Sequence, residues 1–237
     1  MTGNVNEVRM VYERLWSEAS AAFERGQPQL DPFLQPGSED RRRGLTLVCR
    51  PDNAVRGRVT EFLDKASSLA SGQYFYRPHE FHSTVFSVIP VSAAWEKFAI
   101  KLPEYIAVLD AVLKNRPVFS IKFHGVTASP EAILIQGFPN SDTLARLRND
   151  LRLALHRHGL GENLERRYKL TASHLSVVRF SAPMPDWKPL KAFLASHRET
   201  DFGETQVHSL QAIEANWYAA AKTLRTLREY PLSHAPA

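Results

Sequence analysis

The chain has 237 residues, of which 43% are hydrophobic and 23% charged, and carries a formal charge of +5. That balance excludes a disordered chain and fits one large globular domain or two small lobes sharing a core. The single cysteine, Cys49, excludes an internal disulfide and makes a reducing cytoplasm the default compartment.

Glu7, Arg9, Glu13, Arg14 and Glu18 interrupt the opening residues, so neither a signal peptide nor a membrane span is expected. The positive charge favours an anionic partner such as a phosphate ester or nucleic acid, although such a charge is also ordinary for a soluble protein.

Residues 4 to 25 predict an amphipathic helix: Asn4 and Glu7 form a capping-box-like start, and Val8, Val11, Leu15, Ala19 and Phe23 share one face. Pro28, Pro32, Pro36, Gly37 and the Arg41-Arg42-Arg43 run then read as an irregular connector. The division expected is therefore 1–43 as an N-terminal helical extension and connector, and 44–237 as the main, bilobal domain. The arginine run reads as a solvated strand entrance or, less simply, as a nucleic-acid contact.

Leu45 to Cys49 suits a buried strand, and Pro51-Asp52 opens a helix carrying Val55, Val59, Phe62, Ala66 and Leu69, which Gly72 ends. After Tyr74-Phe75-Tyr76 and a turn at Pro78 comes a strand over 81–89. Ser92 starts a helical region that Pro103 interrupts and restarts. Strands at 118–126 and 132–136 form a hairpin around Ser129-Pro130, and a helix with Leu144, Leu147, Leu151 and Leu155 runs to Gly159. A polar loop, 161–171, leads to a strand over 172–180. A short helix over 185–195 and an antiparallel pair, 205–217 with 222–230, close the chain. About seven strands with helices between them predict an α+β fold of two related lobes.

Two stretches stand out. Phe81-His82-Ser83-Thr84-Val85 returns as Ser173-His174-Leu175-Ser176-Val177. In a strand, residues two apart share a face, so His82 projects with Thr84 and His174 with Ser176, while Ser83, Val85, Leu175 and Val177 pack away. Each strand offers one imidazole and one hydroxyl. Two imidazoles titrating near neutrality can divide acid and base roles across one phosphodiester, and hydroxyls can donate to phosphoryl oxygens as charge builds. The tripeptide alone is weak, since nine histidines would give roughly one His-x-Ser/Thr by chance. The context carries the signal: both copies sit in apolar, β-branched strands, each behind a helix, one in each half of the chain.

These paired motifs resemble those of the two-histidine (2H) phosphoesterases, which include 2',5' RNA ligase-like and cyclic phosphodiesterase-like proteins. The resemblance runs from about Gly44 to Leu232 and takes in the Tyr74-Phe75-Tyr76-Arg77-Pro78 lead-in, the Phe119 to Pro139 hairpin and the closing strands. It implies two pseudo-symmetric lobes of antiparallel β-sheet with flanking helices around a central cleft. It also implies His82 and His174 as the catalytic pair and Thr84 and Ser176 as phosphate-binding groups. The implied activity is metal-independent hydrolysis of a 2',3'-cyclic phosphate or a 2',5'-type phosphodiester of a nucleotide or RNA end. No metal, no cofactor and no membrane are expected, the partner is a nucleotide or RNA terminus, and the protein is expected as a monomer. The alternatives are a module that binds RNA ends or nucleotides with weak or no catalysis, and a metal-dependent hydrolase using scattered histidines.

Tyr76, Tyr168 and Arg167 are candidate substrate-binding residues: the first, with Tyr74 and Phe75, as an aromatic face for a base, the others as part of the basic Arg166-Arg167-Tyr168-Lys169 loop. Lys122 and His124 share a strand face and are candidates for lining the cleft. Arg179, an odd number of residues from His174, is expected on the opposite strand face and so to be structural. His156 and His158, two apart on a helix, cannot share one metal ion.

Overall fold

The computed structural model describes residues 2–162, 164 and 170–233, and it is an α+β fold. Among the described residues six α-helices accompany the strands: α1 (Thr2–Glu24), α2 (Asn53–Ser67), α3 (Trp95–Ala99), α4 (Leu102–Leu113), α5 (Thr143–Arg157) and α6 (Lys188–Ser196). Asp52 caps α2 by accepting from the Val55 amide at 2.8 Å, which satisfies one of the donors a helix start leaves open. The strands are β1 (Arg43–Cys49), β2 (Tyr74–Phe75), β3 (Ser83–Ser92), β4 (Phe119–Ser129), β5 (Ala132–Pro139), β6 (Leu175–Arg179), β7 (Asp201–Val207), β8 (Ser209–Ala215) and β9 (Arg225–Pro231).

All pair into one antiparallel sheet of order β7-β4-β5-β6-β3-β1-β8-β9, with the short β2 laid against β6. Two fours make it up: β3-β1-β8-β9 and β6-β5-β4-β7. In each, the innermost strand follows a strand and a helix, β1–α2–β3 in one and β5–α5–β6 in the other, which is the pseudo-symmetry that the repeated motif predicts.

Where seven strands are expected, nine are found among the described residues. One of the two additions is β2. The other arises because 205–217 is not one strand: it breaks at His208 into β7 and β8, which lie six places apart in the sheet order. In a flat sheet those strands would be roughly 29 Å apart at the usual spacing, whereas a one-residue link spans at most about 7 Å. The sheet therefore curls into a half-barrel that brings its two ends together. An isolated bridge between Pro117 and Ser233, and the Leu232 amide donating to the His208 carbonyl at 2.7 Å, tie the same ends.

One face of the sheet carries the main core, in which Leu45, Leu47, Val85, Phe86, Phe123, Ile133, Ile135, Leu175, Val177 and Val178 pack with Val59 and Phe62 of α2 and Leu147 and Leu151 of α5. Ser83, Val85, Leu175 and Val177, the positions expected to point away from the site, are each no more than 1% exposed. No described helix is long and apolar enough to cross a membrane.

Candidate active site

The two motif strands meet at one position. β3 and β6 run antiparallel and pair through Ser83 opposite Leu175. This register places His82 opposite Ser176 and Thr84 opposite His174. Since Ser83 and Leu175 point into the core, the other four share the opposite face. They form a square: each imidazole faces the other strand's hydroxyl, and the two imidazoles sit on the diagonal, where neighbours lie about 7–8 Å apart with their Cβ atoms somewhat closer. All four are part-buried. Both histidines stand one residue ahead of their strands, β3 and β6, rather than inside them as the sequence suggests.

The two rings differ in their partners. His82 Nδ1 lies 2.8 Å from the Glu80 carbonyl oxygen. A carbonyl only accepts, so Nδ1 carries the hydrogen and Nε2 is left to the substrate side. His174 Nδ1 is buried and finds no hydrogen-bond partner among the described residues. Burial pushes both rings down to about 4. Arg50 deepens the effect at His82, where the Glu80 carbonyl hydrogen bond opposes it. At His174 the neighbouring His82, Arg179 and Arg148 add to burial. The coupling of His174 to His82 agrees with the register.

An arginine holds the approach to each histidine. The Arg50 guanidinium donates to the carbonyls of His79, Glu80 and Phe81, each at 3.3 Å. Arg148 of α5, 4% exposed, donates to the carbonyls of Val85 (2.9 Å), Thr84 (3.1 Å), Thr171 (2.8 Å) and Ala172 (2.9 Å), and lies 3.4 Å from Ser173 Oγ. It thereby fastens the segment before His174 to the backbone of Thr84. Arginine suits this task because its planar fork offers five donors in fixed directions. Neither clamp is visible in the motif, because a clamp of carbonyls has no sequence signature.

Arg179 requires a correction. The β5–β6 pairing shifts between Ile133 opposite Val178 and Leu134 opposite Ser176, so Val177 is an extra residue, a β-bulge. Val177 and Val178 are both fully buried, and the alternation reverses past them. Arg179 therefore shares the face of His174 and Ser176 instead of the opposite one. Its guanidinium lies 3.5 Å from Glu131 and 3.8 Å from Asp31, beside the Tyr76 hydroxyl, and 5.4 Å from the centre of the Trp217 ring. Its Nε is buried without a hydrogen-bond partner among the described residues.

Tyr76 is 3% exposed and packs edge-on against Tyr74 at 5.2 Å, which in turn meets Tyr218. Tyr76 thus backs Arg179 rather than presenting an open face. The Tyr74 hydroxyl donates to the Glu80 carboxylate at 3.3 Å, and that carboxylate also accepts from the Arg77 amide at 2.8 Å. Arg167 and Tyr168, with Arg166 and Lys169, lie outside the described residues. Lys122 is paired with Asp201 at 2.8 Å, and His124 faces Glu199 at 3.9 Å. Both sit on β4, two strands removed from β6, and the structure does not bring them to the histidines. Cys49 is buried, and burial raises its thiol to about 12, which leaves it unreactive. Among the described residues no group of three or more His, Cys, Asp or Glu gathers closely enough to hold a metal ion.

Neither a family model nor a curated protein matches the sequence. Solved structures do match the fold. TT0787 of Thermus thermophilus aligns with 81% of this chain and 98% of its own at a TM-score of 0.60 and 18% identity. E. coli LigT in complex with 3'-AMP aligns with 82% of this chain and 100% of its own at 0.55 and 13% identity. A protein described as a phosphoesterase aligns with 81% of this chain and 99% of its own at 0.53 and 12% identity. The repeated strand–helix–strand units, the half-barrel sheet and these alignments agree on one architecture, and the chain has the LigT-like fold.

Proposed function

We propose that the protein is a phosphodiesterase that hydrolyses a 2',3'-cyclic phosphate or a 2',5'-type phosphodiester of a nucleotide or RNA end, using His82 and His174 as acid and base. The observation that carries this reading is the register of Ser83 opposite Leu175, which gathers two imidazoles and two hydroxyls on one face. The 3'-AMP bound in the E. coli LigT structure supports a nucleotide as ligand.

The unequal partners of the rings support a division of roles. His82, with a carbonyl to receive its Nδ1–H, is the better holder of a second proton and serves as the acid. His174, without a partner at Nδ1 among the described residues and close to Arg179 and Arg148, is the poorer cation and serves as the base. In hydrolysis of a 2',3'-cyclic phosphate, His174 takes a proton from water as its oxygen bonds to phosphorus. The bond from phosphorus to a ribose oxygen breaks, and His82 supplies the proton that oxygen needs. The Thr84 and Ser176 hydroxyls and the Arg179 guanidinium receive the phosphoryl oxygens. Solvent exchange then returns a proton to His82 and removes one from His174.

This reading fixes a pH dependence. The productive free enzyme holds one proton on the pair, and with both rings at about 4 that form is scarce at neutrality. For a diester that stays monoanionic, kcat/KM is expected to rise by up to about tenfold per unit as pH falls from 7 toward 5. A bound anion favours the imidazolium, so the kcat profile should lie at higher pH than that of kcat/KM. Measurement with 2',3'-cyclic AMP in excess chelator tests both claims. No turnover across a panel of cyclic and 2',5'-linked nucleotides would refute the activity, loss of turnover on chelation with recovery on added zinc or manganese would refute the acid–base mechanism, and a kcat/KM flat from pH 5 to 7 would refute the depressed pair.

A further inference from the structure

The first helix lies on the same sheet face as the site. Thr127 of β4 pairs with Leu134 of β5, which pairs with Ser176 of β6, so the three side chains share the site face. Phe138, four residues along regular β5, shares it too. These are the positions α1 covers: the Thr127 hydroxyl donates to the Tyr12 carbonyl at 3.1 Å, and the Tyr12 ring packs edge-on against Phe138 at 5.5 Å. Tyr12 is fully buried in a small cluster with Val8 and Ala172.

Its hydroxyl does more than fill space. It accepts from the Gly137 amide at 3.0 Å and from the Ser173 amide at 3.3 Å, and donates to the Gly137 carbonyl at 3.1 Å. Both lone pairs and the hydrogen are used. Past Ile135 opposite Leu175, the β5–β6 ladder would next join Gly137 to Ser173. The Ser173 carbonyl instead crosses so close that a Cβ at Gly137 would sit 1.9 Å from it, and the Tyr12 hydroxyl supplies the missing partners. The ladder thus ends on a side chain from the N-terminal helix, one residue before His174. Burial raises this phenol to about 12, so it remains a donor throughout the working pH range.

We infer that α1 belongs to the frame of the reaction centre, with Tyr12 as a positioning residue whose hydroxyl fixes the backbone from which His174 projects. The inference rests on the proposed phosphodiesterase reading for its kinetic consequence, but its structural content can be measured without turnover. Tyr12→Phe keeps the ring and removes the three hydrogen bonds. Thr127→Val removes the bond to the Tyr12 carbonyl and the one received from Arg198, which itself pairs with Glu13 of α1, and leaves the Tyr12 hydroxyl in place, so it reports what loosened helix docking does by itself.

With 2',3'-cyclic AMP as probe, Tyr12→Phe is expected to lower kcat at least tenfold with KM within twofold. The His174 ring titration, followed by NMR, should move while that of His82 holds. Thr127→Val is expected to lower thermal stability but keep kcat within twofold and both titrations in place. Wild-type kcat in Tyr12→Phe, or equal loss of kcat in the two variants, would overturn the assignment. If the wild type turns over no diester, the functional reading fails while the His174 titration in Tyr12→Phe still decides the positioning. If Tyr12→Phe does not fold, hydrogen exchange of the Ser173 amide in the wild type decides it: protection comparable with the β5–β6 ladder upholds the bond to Tyr12, and immediate exchange removes it.

Discussion

Replacing either His82 or His174 with glutamine is expected to lower kcat by about 10²- to 10⁴-fold, the range that a positioned acid or base contributes. Glutamine approximates the ring's reach and polarity but cannot carry a proton between water and a leaving oxygen. If the two act as one device, the double variant should lose little more than the worse single one, because an acid without its base has no productive partner. Full additivity would argue for two independent sites. The substitutions should also leave the fold intact and change its acid sensitivity in a defined direction. Both rings sit at about 4 in the folded state against about 6.5 in an unfolded chain. The unfolded chain therefore binds more protons between those values. Stability from the neutral rings is fully present above pH 6.5 and is lost as pH falls through about 4. The glutamine variants lack this loss, so their unfolding midpoints should fall less than the wild type's between pH 7 and 4.5. Parallel declines in variants and wild type would show that the rings are not depressed.

The two half-sites were readable because strand alternation is a short-range rule. His82 with Thr84 and His174 with Ser176 need only the backbone's period, and each pair is complete within three residues. What joined them was also partly readable, since each motif ends a strand–helix–strand unit. Beyond that range the sequence is mute for physical reasons. The bulge at Val177 turns Arg179 to the site face, yet two valines in a row look the same in a bulge as in a buried strand. The break at His208 has no glycine or proline to mark it, although the chain changes its partners there from β4 to β1 and β9. Tyr12 stands 161 residues from the Ser173 amide it receives, and the sequence reading of the first helix, built on Val8, Val11, Leu15, Ala19 and Phe23, leaves it out. It is core by burial and a hydrogen-bonding group by its tip, and only the fold distinguishes the two. Arg50 and Arg148 escape notice for a related cause: their acceptors are carbonyls, which every residue possesses.

Those two arginines also bear on how the histidines stay neutral. A cation near each ring disfavours the imidazolium and adds to the effect of burial: Arg50 does so at His82, and Arg148 at His174 after the larger contributions of His82 and Arg179. The charge that orders the backbone is the same charge that tunes the ring. A bound phosphodiester anion would offset it, so the substrate itself would restore the proton affinity that the acid needs. This couples binding to the protonation of the pair and gives the expected separation between the kcat and kcat/KM profiles.

Arg148→Met is accordingly expected to be the most damaging single substitution to the frame. Methionine can fill much of the volume among Val85, Ala172 and α5, but it donates no hydrogen bond, and the carbonyls of Thr84, Val85, Thr171 and Ala172 would all lose the donor they share. Each buried acceptor left short costs about 1–3 kcal/mol. Part of that sum is recovered, because burying the guanidinium carries its own desolvation penalty, which the substitution removes. A net loss of about 3–5 kcal/mol follows, and for a chain of this size it would lower the thermal midpoint by roughly 6–20 °C. Arg148→Lys should fall between, since an ammonium keeps the charge but cannot span both segments in one plane. The two variants separate the clamp from the charge. Methionine should raise the His174 titration only slightly, because burial, His82 and Arg179 each depress that ring more than Arg148 does, whereas lysine should leave it in place, and both should lose kcat because Thr84 and the segment before His174 are no longer held together. A midpoint within 2 °C of wild type in Arg148→Met, with kcat unchanged, would show that β3 and β6 hold their register without the guanidinium and that the square of His82, Thr84, His174 and Ser176 is set by the sheet alone.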